Sequence, residues 1–115
     1  MDGERRMWHA MLTVAGAAQD LSATHQALRR LQAEHPFMHS VRYDECRAEI
    51  CYWEEGSNML DVASLALRLW SEHRQSARLP DWSVVGLEVL ERGTFHERQP
   101  VATMAVIEAV PTRFS

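Results

Sequence analysis

Six histidines, two cysteines and a set of carboxylates are the side chains of this 115-residue chain able to move protons, attack an electrophile or hold a metal. His9 is the natural general base, because an unperturbed imidazole titrates near neutral pH. Glu49 or Glu88 can orient it if the fold brings them to one surface. Cys51 becomes a nucleophile only where a cation such as Arg42, or a protonated histidine, stabilises its thiolate; otherwise it reads as a small hydrophobe. Metal ligation asks for histidines at i and i+2 on a strand, at i and i+4 on a helix, or on neighbouring strands. No pair has the local spacing in usable form, since His35 and His39 are separated by Pro36. Strand alternation assigns His9 and His39 to opposite faces, so the sequence points to no metal and no cofactor. Dinucleotide, P-loop, zincin and hydrolase signatures are absent from the sequence.

The elements that must position these groups follow from hydrophobic periodicity. Period-2 runs lie at Trp8–Val14, Phe37–Tyr43, Ala48–Trp53 and Val84–Leu90, and helix-period runs at Leu21–Ala33 and Met59–Arg74. Their order is βαββαβ, which defines an α+β, ferredoxin-like split βαβ: a four-stranded antiparallel sheet with two helices on one face. Asp20 or Ser22 can cap the first helix, and Pro36 ends it. The second and third strands form a hairpin across Asp44–Arg47. Its register sets Tyr43 opposite Ala48, Arg42 opposite Glu49, Val41 opposite Ile50 and Ser40 opposite Cys51, so that hydrophobic alternation and charge pairing agree. In the last strand Val85, Leu87 and Val89 share one face. The second helix is apolar over more of its circumference than one contact needs, so a further surface is expected to cover it. Residues 1–99 make up the ferredoxin-like domain. Residues 100–115 are an added arm or strand, because Val101–Val110 is half β-branched.

Two helices on one side leave the other side of the sheet open. Helix-facing positions are Leu12, Val14, Val41, Tyr43, Ile50, Tyr52, Leu87 and Val89; the open face carries His9, Met11, Thr13, Ser40, Arg42, Glu49, Cys51, Trp53 and Glu88. That face mixes charges with Met and Trp. It can dock on a second copy, line a small-ligand pocket, or simply meet solvent. Met11, Thr13, Arg42, Cys51 and Trp53 are the candidate ligand or interface residues. Trp8, Trp70 and Trp82 read as packing.

Composition narrows the function classes. Apolar residues are 46% and charged residues 24% of the chain, an ordinary globular balance. The net charge of −4 and the lack of a basic patch argue against nucleic acid as a partner. All twelve basic residues are Arg; this points to a GC-rich bacterial genome and excludes lysine nucleophiles. Cys46 and Cys51 are expected to be free thiols. No run approaches a membrane span, and Met-Asp-Gly-Glu-Arg-Arg is not the start of a signal peptide. A cytoplasmic protein is the expectation.

The order of elements resembles that of ACT-type regulatory domains, signalling trimers and dimeric α+β-barrel proteins. The resemblance is one of fold, and a fold hosts many functions. Gly16–Leu21 lies where an ACT domain binds its amino acid but lacks the Pro-Gly of such loops, so no residue roles carry over. The sequence therefore leads to a homodimeric, non-enzymatic binding or regulatory module acting through the open face, with a small molecule as the ligand class. The alternative is a small cofactor-free enzyme with His9 as base.

Overall fold

The computed structural model describes residues 6–35, 37–94 and 112–114. In chain order its elements are β1 (Arg6–Ala15), α1 (Leu21–Glu34), β2 (Met38–Tyr43), β3 (Arg47–Gly56), α2 (Met59–His73), β4 (Ser83–Glu91) and β5 (Thr112–Arg113). Strands β1 to β4 form an open antiparallel sheet in the order β4-β1-β3-β2, and β5 adds two residues in parallel at the β2 edge. The expected arm at 100–115 therefore contributes Thr112 and Arg113 to the sheet; its residues 100–111 lie outside the described residues.

Alternation decides which side is the core. Ala10, Leu12 and Val14 of β1, Val41 and Tyr43 of β2, and Ala48, Ile50 and Tyr52 of β3 share one surface, because successive side chains point to opposite faces. Ala27, Leu28 and Leu31 of α1 and Ala66, Leu69 and Trp70 of α2 join the same cluster, so both helices lie on that side. Local chemistry starts each helix. The Asp20 carboxylate accepts from Ala23 N at 3.0 Å, and the Asn58 side chain accepts from Asp61 N at 2.9 Å, satisfying N–H groups that a helix start leaves over. Beyond its buried Val62, Ala66, Leu69 and Trp70, α2 keeps Met59, Leu60, Leu65 and Leu67 exposed.

The hairpin register matches the sequence reading at each of its four pairs, from Ser40 with Cys51 to Tyr43 with Ala48. Two β-bulges change the phase elsewhere. In β4 the register shifts so that Thr13 pairs with Gly86 and Val14 with Val84. Val84 packs against the core and Val85 is 62% exposed, which corrects the expected Val85, Leu87, Val89 face. Trp82 anchors this region one residue before β4. Its indole stacks on Trp70 at 6.1 Å between ring centroids and donates to the Ala17 carbonyl at 2.8 Å. The extra residue absorbs the mismatch between that anchor and the rest of the strand.

Gly16 ends β1 against this tryptophan. A Cβ built there would lie 2.4 Å from Trp82 Cδ1 and 3.2 Å from its Cα. Because backbone as well as ring would have to move, Gly16→Ala is expected to destabilise the fold by about 1–3 kcal/mol. Urea denaturation of the variant beside the native chain measures this, and an unchanged midpoint would show that the contact is loose.

Candidate functional site

The side of the sheet away from the helices is built in three rows, read from the strand pairings. The row nearest the ends of β2 and β3 that meet the hairpin turn holds Gly86, Thr13, Glu49 and Arg42. The middle row holds Glu88, Met11, Cys51 and Ser40. The third holds Leu90, His9 and Trp53. Every nominated residue of the open face thus lies on one surface. Their side chains are half-buried, except that Arg42 is exposed and His9 is only 6% exposed.

A buried histidine on a sheet face without a helix over it needs a physical reason, and a bulge in β2 supplies it. Met38 pairs with Tyr52 and Ser40 with Cys51, leaving His39 as the extra residue. Regular alternation would send His39 to the core and Met38 outward. The bulge reverses both: Met38 packs against the core and His39 turns to the open face. The thioether loses nothing on burial that the imidazole would not lose more heavily. Just before the bulge, Phe37 has φ 77°, the left-handed region that disfavours a bulky residue, and its ring is 74% exposed. Its carbonyl accepts from Trp53 N at 3.3 Å.

The expected placement of His9 and His39 on opposite faces is therefore corrected. Their Nε2 atoms are 2.7 Å apart, a hydrogen-bond distance. Only one of those nitrogens can donate, so one ring carries its proton on Nε2 and the other on Nδ1. Trp53 meets His9 edge-on at 5.0 Å and lies 6.2 Å from His39. Burial pushes the His9 imidazole down to about 4, with the nearby His39 charge as the second cause. Burial also lowers His39. The pair is uncharged at neutral pH, where a desolvated cation would be costly.

The other nominees resolve differently. Burial, reinforced by Glu49, pushes the Cys51 thiol up to about 11, and the weaker attraction of Arg42 does not reverse this. Cys51 is a thiol rather than an activated nucleophile. Glu88 and Glu49 sit in the middle and turn-side rows, opposite Met11 and Thr13, while the Nε2 of His9 is directed at His39. The Arg42 guanidinium lies 4.8 Å from the centre of the Phe114 ring and that of Arg47 4.7 Å from it, so two cations clasp the residue after β5. A groove of about 330 Å³ lies between the end of β3 and α2, against Gly56, Asp61, Leu65 and Arg68, and none of the nominated residues lines it. The histidine pair was missed because its partners are thirty residues apart in sequence; the signal that could have found it is the run Phe-Met-His-Ser, which buries a methionine only by slipping phase.

An α+β domain with one helix-covered and one open sheet face, and a neutral histidine pair set into the latter, is the class these observations define. Residues 7–105 match the domain of unknown function DUF8830, and the chain belongs to that family. No curated protein was found to match it. Among the described residues no helix is long and apolar enough to cross a membrane.

The lowered histidines make stability depend on acidity. With the folded value of His9 near 4 and the ordinary value 6.5, the unfolded chain binds the extra proton first. The fold should keep its full stability above pH 6.5 and lose on the order of 3 kcal/mol as pH falls from 6.5 to 4. Urea midpoints across that range read the loss, and His9→Gln should flatten it. A native chain equally stable at both ends would mean that the pair is hydrated.

Proposed function

We propose that this protein is a non-enzymatic binding or regulatory module that works as a homodimer through the open sheet face, in a ferredoxin-like frame. The observation that carries the reading is the make-up of that face. Its centre is Met11, His9, Cys51 and Trp53, half-buried or buried without a helix above them, while charge sits at the margins in Glu88 on β4 and Arg42 on β2. An apolar, aromatic centre with a charged rim is the anatomy of a protein interface.

Symmetry makes the reading specific. A two-fold axis lying between two facing sheets and parallel to their strands, centred between β1 and β3, sets β1 over the β3 of the second copy and β4 over its β2. His9 then meets Trp53 of the second copy, Met11 meets Cys51, and Glu88 comes beside Arg42. Opposite charges are brought together at the margins, Glu88 with Arg42, which supports this register, while Glu49 of each copy lies one strand spacing from its counterpart near the axis. A small metabolite held between the faces fits the same surface.

The alternative, a cofactor-free enzyme with His9 as base, has less support. A base with a value near 4 is weak at neutral pH, and its Nε2 is directed at His39 rather than at a carboxylate.

Light scattering on the native chain at high micromolar concentration should give twice the chain mass. Glu88→Arg should shift it towards the monomer, weakening the dimer about tenfold or more, and adding Arg42→Glu should restore it. A native monomer, or a Glu88→Arg dimer as tight as the native one, would overturn the proposed register.

A further inference from the structure

We propose that His9 and His39 are the protein ligands of a site for one late divalent transition-metal ion, of the nickel, copper and zinc class. The site uses the two Nε2 atoms, with water completing the coordination. This goes beyond the dimer reading and does not rest on it.

The geometry is the first support. Two nitrogens at metal-ligand distance, about 2.1 Å, sit about 2.9 Å apart in neighbouring octahedral positions and about 3.4 Å apart in tetrahedral ones. The observed separation is 2.7 Å, so the nitrogens need to part by roughly two or three tenths of an ångström for an octahedral ion and by about 0.7 Å for a tetrahedral one. With the ring centroids 4.9 Å apart the two rings meet nearly head-on, so each must swing by some tens of degrees about its side-chain bonds to turn its lone pair to a common point. The protons balance: the two neutral rings hold one N–H each, and the ring protonated on Nε2 moves its proton to Nδ1 as its lone pair turns to the metal. No proton has to leave the protein.

The second support is how the pair is made. A bulge is needed to bring His39 to this face, and it sits beside the left-handed Phe37. Bulges and strained backbone collect where a side chain must be re-aimed. A third support is chemical. Imidazole selects the late first-row ions over magnesium and calcium, which prefer oxygen. His39 is the more accessible ring and His9 the buried one, so the ion enters past His39.

Trp53 provides the readout, because its ring is 5.0 Å from His9 and 6.2 Å from His39. Nickel chloride titrated into the full chain at pH 7 should quench tryptophan fluorescence saturably, at about one ion per chain. Trp53→Phe should remove most of the quenching, and His39→Ala should weaken binding at least about tenfold. Absence of saturable quenching below about 1 mM nickel, or unchanged binding by His39→Ala, would overturn the proposal. A test on the native chain covers the case in which a variant does not fold. Nickel should broaden the ring-proton resonances of His9 and His39 before those of the other histidines, and broadening confined to the others would equally overturn it. In the proposed dimer Trp53 of the second copy lies over His9, so the Glu88→Arg chain, freed of that cover, should bind nickel at least as tightly as the native chain; weaker binding by it would overturn the metal site, and its mass tests the dimer separately.

Discussion

One-sided burial is the constraint on which the rest of this structure depends. A strand turns alternate residues to opposite faces, and a slip of one position moves a whole run of side chains to the wrong side. Both helices gather over the face that carries Leu12, Val41, Ile50 and Tyr52. Any residue out of phase with that face must be expelled from it or accommodated by a bulge. The chain does this twice, at His39 in β2 and near Val85 in β4. Each bulge keeps an aliphatic side chain inside, Met38 or Val84, and turns its neighbour out.

The chemistry of the open face grows out of the first of these adjustments. His39 does not reach His9 through any motif; it reaches it because Met38 claims the core. Once the rings meet, each removes water from the other, and Trp53 closes a side. Desolvation holds both rings neutral, and the bond between their Nε2 atoms replaces the water they lost. A hydrogen-bonded neutral pair is what a dry sheet surface can tolerate; a lone imidazolium there would not be.

The sequence was informative wherever a period ran unbroken. The β2–β3 register could be read from Val41, Arg42 and Tyr43 against Ala48, Glu49 and Ile50, because turn length, alternation and charge gave one answer. The cap was narrowed to Asp20 or Ser22, of which Asp20 serves, and the packing role of Trp70 and Trp82 was likewise legible. The membership of the open face was legible too, apart from His39 and Leu90. What alternation could not show was where it would fail. A bulge is the outcome of competition between two neighbouring side chains for one core position, and that depends on packing from α1 and α2 rather than on the strand itself. The same limit hid the state of His9: its default value follows from its type, but its burial follows from a residue on another strand.

The β4 bulge also bears on how the sheet ends. Among the described strands, β4 forms one border of the sheet and β5 the other. A straight border strand is a template on which further chains can add without limit. Here one border is kinked, with Val85 facing outward, and the other stops after Thr112 and Arg113. Neither offers a long regular ladder, so lateral growth into fibrils is discouraged at both margins while flat stacking stays open.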